Sequence, residues 1–126
     1  MAVSLPGTPF GLNEAEFTPA KALIEADALL ALATDINPGT SWCESMQFIL
    51  ALACRKMGLS PQQAIAAATI NAAAALKLQN RVGSIEPGKQ ADLLILNVND
   101  FRHLGYRFGT NLVSHVIKRG KLFPVG

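Results

Sequence analysis

Two cysteines, two histidines and a charged fraction of 16% leave this 126-residue sequence short of the side chains on which much polar chemistry depends. Cys43 and Cys54 lie eleven positions apart. On one helix that spacing gives a shared face and a separation of about 16 Å, too far for a disulfide. Both read as small buried apolar residues, which fits a cytosolic compartment. No Lys/Arg block exceeds Lys118-Arg119, and 11 basic against 9 acidic residues give a net charge of +2. Neither nucleic acid nor a polyanionic surface is implied. No apolar stretch reaches the roughly 20 residues of a membrane span. The N-terminus has no basic segment ahead of its apolar residues, so no signal peptide is expected. A Gly-rich phosphate loop, a Gly-x-Ser-x-Gly elbow and a Cys-x-x-Cys pair are all missing. His103 reads as a solvated loop residue near Arg102 and Arg107. His115 reads as a half-buried strand residue beside Val113 and Ile117, and neither has a partner at metal-ligand spacing.

Half of the residues are apolar, a globular composition for one domain or a piece of a larger one. Ala2 to Leu5 predicts a strand end stopped by Pro6-Gly7, and Thr8 to Phe17 is read as irregular. Thr18-Pro19 predicts an N-cap with Pro at the first helical position, opening a helix to about Asp27. Leu29 to Ala33 is a second buried strand. Strand, helix and strand joined by short loops predict a parallel βαβ unit.

Glu44 to Met57 carries the helical stripe Met46, Ile49, Leu50, Ala53 and Met57. Phe48 and Leu52 widen it, so this helix is expected to be covered on most sides. Gly58 is its C′ glycine. Ser60-Pro61-Gln62-Gln63 predicts a capping box with Pro at N1. Thr69 is read as the cap of a further helix, Ile70 to Leu78. Beyond Asn80 the pattern turns to β: Leu93 to Leu96 behind Asp92 as a polar start residue, then Val113 to Arg119, a turn at Gly120, and Lys121 to Pro124.

The segment Ala33-Thr34-Asp35-Ile36-Asn37-Pro38-Gly39-Thr40-Ser41 follows the second strand directly. An Asp at the C-terminal end of a buried strand can ligate a cation, act as a general base or cap a turn. Asn37 and Thr40 offer side-chain hydrogen bonds, and Gly39 allows close backbone approach. These features suit a small polar ligand and equally suit an ordered loop.

Gly83-Ser-Ile-Glu-Pro-Gly-Lys-Gln-Ala-Asp-Leu-Leu-Ile-Leu96 resembles the stretch by which metal-dependent amidohydrolases leave their barrel for a small β-sandwich. Ser60-Pro-Gln-Gln-Ala64 and Ala68-Thr-Ile-Asn-Ala72 precede it as in that superfamily. Asp35-x-Asn-Pro-Gly-Thr-Ser41 is similar to the last barrel strand and loop of imidazolonepropionases in particular, and Leu5-Pro-Gly7 to the end of their seventh strand. The resemblance implies an α/β fold: the last two strand-helix units of a (β/α)8 TIM-type barrel over residues 1–80, then β-sandwich strands over 81–126. It implies metal-dependent hydrolysis of 4-imidazolone-5-propanoate to N-formimidoyl-L-glutamate, in histidine degradation, with one zinc or iron ion. Asp35 matches the metal-ligand Asp that also handles the water proton. Asn37 and Gly39 match residues that hold the propanoate or product, and Thr40 matches a contact to the imidazolone ring.

One departure matters. The superfamily's metal centre needs a His-x-His pair and further histidines, and this sequence has no histidine before position 103. The chain is thus similar to the C-terminal quarter to third of such an enzyme, and the barrel is expected to be incomplete. The expected partners are a small-molecule substrate and the missing N-terminal portion. Two barrel strands alone would leave both edges of the pair unbonded and apolar faces uncovered, so self-association into a homo-oligomer or swapped form is expected. The alternatives are another cyclic amidohydrolase or deaminase of the superfamily, or a non-catalytic interaction domain derived from one.

Overall fold

The computed structural model describes residues 1–125. Strand β1 (Ala2–Ser4) leads through Leu5-Pro6 into a short helix α1 (Gly7–Gly11), followed by α2 (Ala20–Glu25) and strand β2 (Leu30–Leu32). The two strands pair in parallel with Ser4 opposite Leu32, as the βαβ pattern predicts. Their C-terminal ends therefore open on the same side of the molecule.

The region read as irregular holds α1, which ends on Asn13 in the left-handed conformation (φ +56°). Asp27 (φ +56°) and Gly58 (φ +69°) end α2 and the long helix in the same way, since Asn, Asp and Gly tolerate that conformation best. Thr18 does not cap α2. Pro19 holds the cap position without a side-chain bond, because the Thr18 hydroxyl is engaged 2.7 Å from that of Ser4. Ser4 is buried, and a buried hydroxyl needs such a partner.

Helix α3 (Met46–Lys56) is capped by Ser45, whose side chain accepts from the Phe48 amide at 3.2 Å. Ile49 to Ala53 are all buried, so the helix is enclosed on most sides as the widened stripe predicts. Cys43 lies ahead of α3 and not on it, so the shared helix face expected for the two cysteines does not form. Both cysteines are free and half-buried. Burial pushes the Cys54 thiol up, against the opposing charge of Arg55.

Helix α4 (Pro61–Ala68) opens with the predicted capping box: Ser60 Oγ accepts from Gln63 N, and Gln63 Oε1 accepts from Ser60 N at 2.9 Å. Helix α5 (Ile70–Ala75) begins at Thr69, whose hydroxyl does not cap it. That hydroxyl instead donates backwards to the Ile65 carbonyl at 2.7 Å, the competing bond open to Ser and Thr in helices. The core gathers Leu30 and Leu32 of β2, Ile49, Leu50, Leu52 and Ala53 of α3, and Ala64 and Ala67 of α4. The alanines allow close helix approach.

Strands β3 (Leu93–Leu96), β4 (Val113–Lys118) and β5 (Lys121–Pro124) form an antiparallel sheet in that order, with a short helix α6 (His103–Tyr106) between β3 and β4. The β4–β5 turn places Arg119 (φ +50°) and Gly120 (φ +77°) both left-handed, the twist-matched geometry of a two-residue hairpin. Asp92 does more than start a strand. It accepts from Lys118 Nζ at 2.6 Å and from the Arg119 amide at 2.8 Å, tying the entry of β3 to that turn. These bonds hold its carboxyl down at about 2.

The edges of the parallel pair are not wholly open. Asn71 of α5 donates through Nδ2 to the Leu30 carbonyl at 2.9 Å, so the expectation of free groups along both edges fails at that position. Among the described residues, no helix is long and apolar enough to cross a membrane.

Candidate functional site

Asp35 stands three positions beyond β2, where the chain leaves the sheet. Its backbone is left-handed (φ +51°), a conformation that Asp accepts more readily than most residues. Its carbonyl receives Asn37 Nδ2 at 2.7 Å. Asn37 Oδ1 in turn accepts from Gly39 N at 3.0 Å, Thr40 N at 2.8 Å and Thr40 Oγ1 at 3.2 Å. The Asn37 amide then donates to the Ser41 carbonyl at 2.9 Å, and Ser41 Oγ donates back to the Thr34 carbonyl at 3.2 Å. The loop is thus closed on itself around one side chain, as Asx-type turns are.

The four residues singled out in sequence share this loop, but they do different work. Asn37 is its organiser: its amide oxygen and one amide hydrogen are turned inward. Gly39 and Thr40 offer their backbone N–H groups to Asn37. Asp35 is half-buried, and its Oδ2 accepts from the Thr8 hydroxyl at 2.8 Å. No hydrogen bond reaches its Oδ1 among the described residues.

Thr8, Ser41, Gly7 and Gly11 carry no site role in the sequence analysis. A signal for Thr8 was present, because parallel pairing of β1 with β2 sets their C-terminal ends side by side. A residue four positions past Ser4 then meets one three positions past Leu32.

The histidines lie on α6 and β4. His103 is only partly solvated: the residue is half-buried, and its Nδ1 is buried with no hydrogen-bond partner among the described residues. His115 is half-buried as expected, with Nδ1 3.1 Å from Ser114 Oγ. No three His, Cys, Asp or Glu side chains come together in metal-binding range among the described residues. A metal ion could take Asp35 Oδ1 as one ligand, and the carboxylate fits that part. Stable zinc sites use three or four such ligands, so the described residues supply one contribution to a centre and not the whole of it.

A cavity of about 750 Å³ lies between the N-terminal end of α3, α4 and the sheet, with Met46, Leu50, Ile65, Leu94 and Leu96 in its wall. Gln47 spans its rim. Its amide nitrogen donates to the Arg107 and Thr110 carbonyls at 2.7 and 3.0 Å.

Residues 11–123 match the model of the amidohydrolase family. The chain is 57% identical to the imidazolonepropionase of Herpetosiphon aurantiacus over 122 residues, which are 97% of this chain and 29% of that protein. Among solved structures it is similar to an adenosine deaminase from Xanthomonas campestris with bound zinc, with a TM-score of 0.72 and 28% identity over 96% of this chain and 31% of that one. It also shares the fold of the E. coli guanine deaminase, with a TM-score of 0.76 at 21% identity, over 97% of this chain and 33% of that one. The chain spans about 29% of the length of the curated relatives it matches. The structure is a small α/β unit of the kind these amidohydrolase and deaminase enzymes contain.

Proposed function

Since the chain belongs to the amidohydrolase family, we propose that it is the C-terminal part of an imidazolonepropionase, a cytoplasmic enzyme that hydrolyses 4-imidazolone-5-propanoate to N-formimidoyl-L-glutamate in histidine degradation. The likeness to the Herpetosiphon imidazolonepropionase along nearly the whole chain carries this reading. Residues 1–80 would complete a (β/α)8 barrel as its last two strand-helix units, and residues 81–126 would return to a small β-sandwich. The exposed apolar side chains of both regions, Phe10, Trp42, Leu94 and Phe123 among them, support a covering partner of this kind.

In the complete enzyme Asp35 is the carboxylate of the site. It supplies one ligand to a single zinc or iron ion, which when bound polarises water and the ring carbonyl. Its remaining work is proton transfer: it takes a proton from the attacking water and passes it to the ring nitrogen as the C–N bond opens. Asn37 and Gly39 hold the propanoate end of the substrate or product, and Thr40 touches the ring. The closed loop supports these roles by fixing the groups before substrate arrives.

The test is co-expression of this chain with an N-terminal portion that carries the missing histidines, followed by assay of imidazolone consumption. Turnover by the purified complex is expected. A well-folded, metal-loaded complex without turnover overturns the reading. The likeness to zinc-bound adenosine deaminase favours one rival, a deaminase or other cyclic amidohydrolase. Substrate profiling of the same complex separates the two. Loss on Asn37→Ala confined to propanoate-bearing substrates supports the first.

A further inference from the structure

Helix α1 lies against the 34–41 loop more closely than side chains permit. A Cβ added at Gly7 would sit 2.5 Å from Ser41 Oγ and 3.2 Å from the Thr34 carbonyl oxygen. One added at Gly11 would run into the Thr40 carbonyl. Glycine at both ends of α1 therefore lets the helix rest directly on the backbone of the loop. Thr8 stands between the two glycines, and its hydroxyl donates to Asp35 Oδ2 at 2.8 Å.

Asp35 is thereby held from two directions by two elements. The loop fixes its backbone through the left-handed turn and the bond from Asn37 Nδ2. Nothing in that arrangement sets the rotation of the carboxylate, because the terminal torsion of Asp is broad and soft. The Thr8 hydroxyl sets it. An ionised carboxylate is acceptor-only, so engaging Oδ2 leaves Oδ1, which no other group contacts by hydrogen bond among the described residues, for an incoming ligand.

We propose that Thr8 is the positioning residue of this site: it fixes the rotation of the Asp35 carboxylate so that one oxygen stays available to a metal ion, and Gly7 and Gly11 hold it at bonding distance. The inference rests on the reading of Asp35 as metal ligand and base given above. Thr8 touches neither substrate nor metal and acts through Asp35 alone. Partners of this kind around metal-ligating groups typically alter metal affinity or activity by about 10- to 100-fold when removed.

The experiment uses the complex of this chain with its co-expressed N-terminal portion, loaded with zinc. Wild type, Thr8→Val, Thr8→Ser and Asp35→Asn are compared. One readout is zinc retention against a chromogenic chelator, and the other is the split between kcat and KM. Thr8→Val keeps the branched shape and removes the hydroxyl. It is expected to hold zinc about 10- to 100-fold more weakly and to lower kcat by a similar factor, with KM little changed. Thr8→Ser is expected to restore both. Wild-type zinc retention in Thr8→Val overturns the proposal, and so does a Thr8→Ser variant as impaired as Thr8→Val, which would assign the effect to shape. If Thr8→Val fails to fold, Thr8→Ala supplies the same comparison. If the wild-type complex ignores the imidazolone, the substrate reading fails while zinc retention still decides the role of Thr8. Wild-type retention in Asp35→Asn removes the premise itself.

Discussion

β2 and β5 carry similar apolar side chains into opposite surroundings. Leu30, Ala31 and Leu32 of β2 are at most 3% exposed, whereas Leu122 and Phe123 of β5 are 58% and 50% exposed. β2 is walled by α4 and α5 on the chain's own terms. Among the described residues no helix covers β3, β4 and β5 to that extent. Leu94, Val116 and Phe123 line up across β3, β4 and β5 on one face, and Leu93, Ile117 and Leu122 on the other. An antiparallel sheet with one solvated face alternates apolar and polar residues, and this one does not at these positions. One region brings its core with it, and the other leaves large apolar side chains such as Leu94, Leu122 and Phe123 exposed.

Four measurements sharpen or break that contrast. The largest effect is expected at the self-contained end. Asp35→Asn should lower turnover of the complete enzyme by about 10²- to 10⁴-fold, the usual weight of a general base, with an unchanged melting transition. Turnover within a few-fold of wild type would remove Asp35 from the chemistry. Next, Ile49→Ala should cost about 2–5 kcal/mol in denaturant unfolding, because Ile49 of α3 is fully buried. Leu122→Ser should by contrast shift stability by no more than about 0.5 kcal/mol while reducing self-association of the chain in sedimentation. A large stability loss there would show that β5 already has its partner.

The smallest effect concerns acid. The Asp92 carboxyl falls from 3.8 to about 2 in the folded chain, chiefly through the bond from Lys118 and then the Arg119 amide. A depressed carboxyl binds its proton more weakly when folded, so its contribution is present above pH 3.8 and is lost as pH falls through about 2. Lys118 is largely exposed, and the effect is correspondingly modest. Asp92→Asn should flatten the pH dependence of the melting temperature in that interval. An unchanged slope would show that Asp92 does not hold the hairpin to β3.

Much of the framework was legible because local chemistry decided it. The Ser60 capping box, the Gly58 stop and the tight turn at Gly120 each need only a few neighbouring residues and are all present, although Arg119, read as strand, belongs to the turn. The failures share a different cause. Thr18 and Thr69 carry good capping hydroxyls, but a tertiary partner in one case and a carbonyl one turn back in the other engaged them instead. Cys43 fell just outside the helix its spacing suggested. At the site, Asp35, Asn37, Gly39 and Thr40 were visible as a cluster along the chain. Thr8, 27 positions from Asp35, was not, since its contact exists only once β1 and β2 are in register. His103 was read from its charged neighbours, and its buried Nδ1 depends on how α6 packs.

Asn71 closes one position on the outer edge of β2. Its side-chain amide occupies the Leu30 carbonyl, where a further strand would seek a bond. A strand docking there has to displace that amide or share the oxygen with it, a carbonyl having two lone pairs. Asn71 thus sets a competing donor at one acceptor of the outer edge of β2.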